Sequence, residues 1–596
     1  MKETDGQSQA SAPLARWQQL TAQFPSLGLS IETAVCLVFT AFFLFYGLVP
    51  IFGGDGLGLV GADEPRYAQI AREMLTRHDY ITPILYGKPW LEKPALYYWR
   101  AMFSFKEFGV HDWAARLPSA SFAFILISLI YLHIRRFRPG GQLDAALITA
   151  SCAGIIAFAR GASTDMQLAA PFCIGMLGWY AWYETDKKFW LFDLYFFNGA
   201  ATLAKGPVAP FLAMAIIFAF IALRREWSLL RRTIWVPGIL LYLAMVLPWY
   251  IAVSRRNPQF LRVFFLEHNL ERFATNLYEH EQPIWYYLAV MVLALMPWTV
   301  VAIRALVDAA IESVNEWRAR LAKNRYVSHA RWGDAFPEFL VLWTLFPIVF
   351  FSLSRSKLPG YILPSLPPLT ILTGDYLNRL RQAEKGIRSW LLVLHALLAG
   401  ATVTLVLLLP WIVFHASGGI PPVRVMTSAI VTGIASVVLI LVVVGKFGVK
   451  RLRIATMVPL VVLVFFLFGV GPFFGLPGIR QTKRTIQLID VTYSARPLAR
   501  QLSQMTPHEP VAILRVRRDL EFGLSFYRDH RVLDYEKDGV PPEAHILVVR
   551  DIALPELKTL LATRSYRPLF AYPAQHVSVY QVDALGTDST TASPHK

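Results

Sequence analysis

The sequence predicts a polytopic α-helical membrane protein that ends in a small α/β domain. Of the 596 residues, 55% are hydrophobic and only 17% charged, a balance that a soluble globular chain does not show. The mean hydropathy of +0.42 points the same way. Runs such as Leu392 to Val413 and Ile454 to Phe474 approach or exceed the roughly 20 apolar residues that cross a bilayer core. Beyond Phe474 the pattern changes to short strand-like and helix-like segments.

Residues 1–28 are polar and carry Lys2 and Arg16, so they read as a cytoplasmic N-terminal segment. The run at 31–51 is too long for a signal-peptide core and lacks a small-x-small cleavage site, which makes it an uncleaved anchor. Further runs lie near 113–134, 142–159, 167–185, 188–204, 207–223, 234–253, 284–304, 338–353, 360–376, 389–412, 426–444 and 454–476, giving about thirteen transmembrane helices. The transmembrane domain is thus 29–476, with a long first loop at 52–112.

Alternate connections are basic: Arg135 to Arg138, Lys187-Lys188, Arg224 to Arg232, Arg318 to Arg331, Arg379 to Arg388 and Lys446 to Arg453. The positive-inside tendency makes these cytoplasmic. An odd number of spans then places the loop at 52–112 and the C-terminal domain, 477–585, outside. In that domain Pro510 to Val516 and His545 to Val549 read as buried strands, and Leu554 to Ala562 as a helix begun by Pro555. The Ser/Thr-rich tail, 586–596, is expected to be disordered. Cys36, Cys152 and Cys173 all fall within apolar runs, which argues against a disulfide framework or a paired-cysteine metal site. The formal charge of +17 sits mostly in short connections, where it sets topology and meets lipid headgroups rather than nucleic acid.

Ionisable residues crowd the first outward loop. It holds Ala62-Asp63-Glu64-Pro65-Arg66-Tyr67 and then Trp90-Leu91-Glu92-Lys93-Pro94. Tyr67, Ile70, Ala71, Met74 and Leu75 follow helical spacing, with Arg66, Gln69, Arg72, Glu73 and Thr76 opposite. That pattern predicts an amphipathic helix lying on the membrane surface, with Asp63 as its N-cap. Arg66, Lys93, Arg160, Lys205, Arg255, Arg256, Arg272 and Lys357 all fall outside, against the topological bias. Singly each reads as a headgroup contact. Together they suggest an external pocket for phosphate, which Arg and Lys bind by charge-assisted hydrogen bonds.

These motifs resemble the 4-amino-4-deoxy-L-arabinose (lipid A) transferase family, within the GT-C class that includes the protein mannosyltransferases. The resemblance is carried by Asp63-Glu64-Pro65-Arg66-Tyr67 with Arg72-Glu73-Met74-Leu75, then Glu92-Lys93-Pro94 and Lys205-Gly206. It continues at Phe264-Phe265-Leu266-Glu267-His268 with Arg272-Phe273, and at Ser356-Lys357-Leu358-Pro359 with Tyr361-Ile362-Leu363-Pro364. It implies a GT-C fold and transfer of a sugar, such as aminoarabinose, from undecaprenyl phosphate or another polyprenyl phosphate to lipid A or a related envelope glycan. It also implies a bacterial inner membrane, with the site on the periplasmic face. No nucleotide-binding Gly-rich motif is evident, in keeping with a lipid-linked donor.

Breaking a glycosyl–phosphate bond calls for cations on the departing phosphate. Arg66 and Lys93 are the first candidates, followed by Lys205, Arg272, Lys357 and the hydroxyl of Tyr361. For Lys205 and Arg272 the plain alternative is a structural ion pair, and for Tyr361 a place in the interfacial aromatic belt. Asp63 is either the acidic group at the reaction centre or only a helix cap. Glu64 is expected to point outward and pair with a nearby base. Glu92 is a further catalytic candidate. The resemblance implies that Glu92 and His268 share a divalent metal, zinc or magnesium; the alternative is a Glu–His hydrogen bond closing two loops. Asp165 stands where the aminoarabinose enzymes carry a Leu-Asp-Pro-like sequence, but here Met166 and Gln167 follow. Its expected role is to bind the sugar amine. Two rivals remain: a related transferase acting on protein or another envelope polymer, and a lipid-linked-sugar transporter or flippase. The transporter requires ionisable groups near mid-membrane, whereas here they gather at one face.

Overall fold

The computed structural model describes residues 30–49, 56–264, 282–323, 332–416, 423–468 and 487–585. Arg272, His268, the segment 1–28 and the tail 586–596 lie outside these residues.

The protein is a multi-pass α-helical membrane protein. The apolar runs are mostly helical over their described parts, because an unpaired amide is too costly in hydrocarbon; breaks fall at Cys152 and at 295–298, and the first helix ends at Phe45. Among the described residues five helices are long and apolar enough to cross a membrane alone: Asp112–Phe137, Val236–Arg256, Ala335–Ser352, Ser389–Leu409 and Met426–Phe447. Two more runs pass only as bent pairs. The run expected at 142–159 bends by 63° between Gln142–Ser151 and Ala153–Ala159. The run expected at 284–304 turns by 117° between Tyr286–Ala294 and Thr299–Ala319, so it is not one straight span. Pro297, with a cis peptide bond after Met296, sits at that turn and cannot donate a helical hydrogen bond. The run at 360–376 starts as a 3-10 turn, Pro359–Ser365, before the helix Leu366–Gln382. Large rings such as Trp179, Trp298 and Trp343 are fully buried in the bundle core.

The two ends of the bundle carry different chemistry. The helix Asp112–Phe137 links them. At its C-terminal end Arg138 pairs with Asp375 (3.4 Å), and Asp375 also meets Arg379 (3.0 Å). Nearby, the buried Asp144 pairs with Arg453 (2.5 Å) and with Arg381. These pairs fasten the basic connections to one another. At the other end, Asp112, Asp165 and Asp63 are each the first residue of a helix, where a carboxylate meets the positive end of the helix dipole.

Residues 487–585 form a mixed five-stranded sheet with helices against it. The strand order is Leu533–Asp534, Val511–Leu514, His545–Arg550, Val577–Val582 and Tyr566–Tyr572. Val511–Leu514 runs parallel to both neighbours, and Val577–Val582 is antiparallel to both of its own. In register, His545 faces Val582 and Arg550 faces Val577. Pro568 lies in the edge strand beside an irregularity, where its missing N–H does least harm. The helix expected at Leu554 to Ala562 is shorter: a 3-10 turn, Asp551–Glu556, leads into Leu557–Leu560.

Candidate active site

The helix Asp63–Thr76 does not lie on a surface. Glu64, Pro65, Arg66, Tyr67, Ala68, Gln69, Ile70, Ala71 and Met74 are all buried, so both of its faces are covered. It packs on the helix Leu96–Phe108 and, from the C-terminal domain, on the helix Arg518–Arg528. Its polar face is therefore an interior face. Asp63 is not the N-cap either. The helix includes Asp63, the cap position falls to Ala62, and no side chain caps the turn. The carboxylate instead takes a hydrogen bond from Arg66 Nη2 at 2.5 Å. The Asp63 side chain is 58% exposed against 9% for Arg66, so the acid faces open space while the base lies behind it.

Glu64 differs most from the expectation. It is buried and points inward, accepting from Arg116 Nε (3.0 Å) and Nη2 (2.5 Å). Main-chain N–H groups of Val60 (2.8 Å) and Ala162 (2.7 Å) donate to the same carboxylate. Arg116 also donates to the carbonyls of Leu57 (2.5 Å) and Gly58 (2.8 Å). One ion pair thus ties together the 56–62 segment, the 160–163 turn and the start of the Asp112 helix.

Tyr67 is the residue that sequence reasoning missed. Its helical spacing assigned it to an apolar face, yet it lies within the electrostatic reach of four ionisable site residues. Burial pushes the Tyr67 hydroxyl well above its ordinary value; Asp63, Glu92 and Asp165 add to the shift, while Arg66 opposes it. The phenol therefore stays neutral and serves as a hydrogen-bonding group. Burial works against the Arg66 charge, while the Asp63 and Glu92 carboxylates and a hydrogen bond with the Tyr67 side chain favour the protonated guanidinium. The guanidinium carbon lies 5.1 Å from the ring centroids of both Tyr67 and Trp90. The buried Arg66 Nε and Trp90 Nε1 have no hydrogen-bond partner among the described residues. Lys93 is buried as well, with Nζ 3.2 Å from the Glu92 carbonyl oxygen.

Asp165 and Lys205 meet at 2.5 Å, each at the helix end whose dipole favours its charge. Gly206 follows Lys205 with φ +87°, which ends the helix there, and a Cβ on it would come within 2.5 Å of Phe264. The Tyr361 ring lies 5.0 Å from Lys205 Nζ. A Cβ on Gly360 would stand 2.5 Å from Asp165 Oδ1, so the absence of a side chain lets the Pro359–Ser365 turn close on the pair. The structure thus gathers Asp63, Arg66, Tyr67, Glu92 and Asp165, and joins Lys205 and Tyr361 to them through Asp165. Lys357 stands apart in its bonding: its ammonium donates to the carbonyls of Ser354 (2.6 Å) and Gln282 (3.0 Å) and closes its own loop.

A cavity of about 1120 Å³ opens beside this cluster. Asp63, Glu64, Ser163 and Asp165 line one part of it, and Arg72, Arg160, Arg496 and Arg500 line others. Leu48, Trp113 and Phe158 give it an apolar portion. Among the described residues no three His, Cys, Asp or Glu side chains gather as a ligand set. Glu92 lies in the field of the Arg66 cation, and His268 is outside the described residues.

Residues 92–251 match the family model of the dolichyl-phosphate-mannose-protein mannosyltransferases. The chain is 33% identical over 356 residues to the undecaprenyl phosphate-α-4-amino-4-deoxy-L-arabinose arabinosyl transferase of Pseudomonas paraeruginosa; the match covers 58% of this chain and 60% of that relative's length. It is 30% identical over 400 residues to the enzyme of the same name from Serratia proteamaculans, covering 65% of this chain and 66% of that relative. The crystal structure of ArnT from Cupriavidus metallidurans bound to undecaprenyl phosphate superposes with a TM-score of 0.70 over 95% of this chain and 99% of that one, at 22% identity. The chain therefore resembles the aminoarabinose transferases in sequence and shares their GT-C fold.

Arg116→Ala is expected to leave Glu64 charged and buried without its partner. The loss for breaking such a pair is about 3–5 kcal/mol. Thermal unfolding of the purified protein in detergent should show a clearly lowered transition, and an unchanged transition would mean that the pair does not hold this end together.

Proposed function

With that resemblance in sequence and fold as premise, we propose that the protein is an integral membrane glycosyltransferase. It takes a sugar, aminoarabinose in the leading reading, from undecaprenyl phosphate and passes it to lipid A or a related envelope glycan. It works at the periplasmic face of the bacterial inner membrane, with thirteen helical segments crossing or entering the bilayer and the C-terminal domain on the side of the site. The observation that carries this reading is the cluster of Asp63, Arg66, Tyr67, Glu92, Asp165 and Lys205 at one end of the bundle, beside a cavity of about 1120 Å³. A mid-membrane transporter site would place such groups elsewhere.

The chemistry follows from these positions. As the glycosyl–oxygen bond breaks, negative charge grows on the departing phosphate. Arg66, held protonated, and Lys93 stabilise that charge, with Lys205, Tyr361 and Arg272 completing the phosphate site. Lys357 contributes by fixing the loop that leads to Tyr361. Arg66 and Trp90 both have a buried donor that a phosphate oxygen would satisfy. The acceptor enters from the cavity, whose arginines Arg72, Arg160 and Arg500 suit an anionic group. An acceptor phosphate is ionised near neutral pH and attacks without a strong base. Asp63 then orients the donor sugar and stabilises the charge that develops on its ring. Asp165, paired with Lys205, is placed to receive the sugar's amine. The displacement is inverting, as the resemblance implies. No step is assigned to a metal.

A second reading, transfer to a protein or another polymer, draws on the mannosyltransferase match at residues 92–251. There the acceptor is a hydroxyl, and Asp63 is its general base. Mass spectrometry of lipid A from cells with and without the gene separates the two. Aminoarabinose-modified lipid A that depends on the gene supports the first; an unchanged spectrum under inducing conditions rejects it.

Asp63→Asn retains a hydrogen-bond acceptor for Arg66 but removes the charge. Turnover by the purified variant should fall at least about a hundredfold, the range for a positioned acid or base. Binding of undecaprenyl phosphate should persist because Arg66 and Lys93 remain. Turnover within a few-fold of the parent would move the acidic role to Glu92 or Asp165.

Orientation is tested by reporter fusions at Arg320 and Gly539. The first is expected inside and the second outside; the reverse labelling would overturn the placement of the site.

A further inference from the structure

The C-terminal domain enters the Asp63 site at two points. Its helix Arg518–Arg528 lies across the helix Asp63–Thr76 and presents Phe522, which is 4% exposed. The Phe522 ring centroid is 5.6 Å from the Arg66 guanidinium carbon. With Tyr67 and Trp90 it surrounds the cation with aromatic rings drawn from two separate parts of the fold. Aromatic faces attract a guanidinium but accept no strong hydrogen bond from it. They keep water from Arg66 and leave its Nε–H, which has no partner among the described residues, available to an incoming anion. A carboxylate in the place of Phe522 would compete with that anion.

The second point is Tyr527, on the same helix. Its hydroxyl donates to Asp112 Oδ1 at 2.5 Å and accepts from the Leu59 N–H at 2.7 Å. Arg496, also of this domain, reaches Asp112 Oδ2 (2.8 Å) and the Gly56 carbonyl (2.7 Å). Both contacts hold the strand of chain that leads into Asp63.

We infer that the C-terminal domain is a working part of the donor site, with Phe522 a positioning residue that holds the Arg66 guanidinium ready for the lipid phosphate. This rests on the reading of Arg66 as a phosphate ligand. The domain thereby couples its own docking to donor affinity.

The test uses the full-length protein in detergent, with undecaprenyl phosphate as the probe and equilibrium titration as the readout. Arg66→Ala, Phe522→Leu and the double variant are compared. Leucine keeps the site apolar and removes the π face. Arg66→Ala should weaken binding, and Phe522→Leu alone should weaken it by about three- to thirty-fold, the span of a desolvated cation–π contact. In the Arg66→Ala background Phe522→Leu should add less than about twofold, because its effect runs through the missing guanidinium. If Arg66→Ala leaves affinity unchanged, the phosphate reading itself fails and this inference falls with it. If Arg66→Ala weakens binding but Phe522→Leu has no effect, or the same effect in both backgrounds, the phosphate reading stands and the positioning role is overturned. Should the leucine variant not be recovered folded, Phe522→Met takes its place in the same cycle.

Discussion

The buried ion pair between Glu64 and Arg116 is the contact on which the active end of the molecule depends. Taking two charges out of water is unfavourable, and their mutual attraction offsets the cost only when the remaining hydrogen-bonding capacity is also satisfied. Here that condition is met. Glu64 accepts from two nitrogens of Arg116 and from the N–H groups of Val60 and Ala162. Arg116 in turn donates to the carbonyls of Leu57 and Gly58. Neither residue approaches the expected chemistry directly. Their neighbours do: Asp63 adjoins Glu64 in the chain, and Asp165 follows the Ala162 turn. The pair fixes the distance between the two acidic residues of the site by fixing the backbone that carries them.

Against this rigid centre, the working charges are held in looser balance. Arg66 has Asp63 at one edge and aromatic rings on its faces. Lys205 has Asp165 and the Tyr361 ring. In each case a carboxylate that is not fully buried pairs with the cation. In the proposed reaction the donor is a phosphodiester with one negative charge and departs as a phosphate monoester with up to two. The charge that grows as the bond breaks draws the cations across. The acids would then be released toward the sugar. A fully compensated pair such as Glu64–Arg116 could not exchange partners in this way.

Much of this was legible in the sequence because bilayer physics is strict. Apolar runs of sufficient length must be helices, and most of the described runs are. A helix through Arg66 to Leu75 and the strands at 511–514 and 545–549 also lie where the pattern put them. What failed was the assignment of faces. Helical spacing separates Tyr67 from Arg66 as core from surface, but it has no information about a domain more than 400 positions later in the chain that covers the second face. Phe522 supplies that cover, so the polar stripe becomes an interior site and Tyr67 a member of it. Glu64 was misplaced for the same reason: its partner, Arg116, sits in the first turns of an apolar helix, where a lone arginine reads as a headgroup contact. Asp63 reads as a cap because Pro65 follows it, yet Arg66 one turn on offers its carboxylate a charged donor. Straightness was also beyond reach, since the apolar run through Met296 and Pro297 looks continuous while its helices diverge by 117°.

The placement of the site follows from how helices end. Asp63, Asp112 and Asp165 open helices, and Lys205 closes one, so all four charges sit where the local backbone dipole favours them. Asp63, Asp112 and Asp165 all line the same cavity at one end of the bundle. For a donor whose polar head stays at the membrane surface, that is also the only depth at which protein charge and substrate phosphate can meet without either entering hydrocarbon. The cavity beside them combines arginines with Leu48, Trp113 and Phe158, matching a molecule with an anionic head and an apolar body. The C-terminal domain then has a physical reason to dock here rather than hang free: it supplies the wall that the membrane cannot. Arg496 and Tyr527 anchor it to Asp112, the residue that starts the helix linking the two ends of the bundle. The proposed donor site and the C-terminal domain therefore share one anchoring point at Asp112.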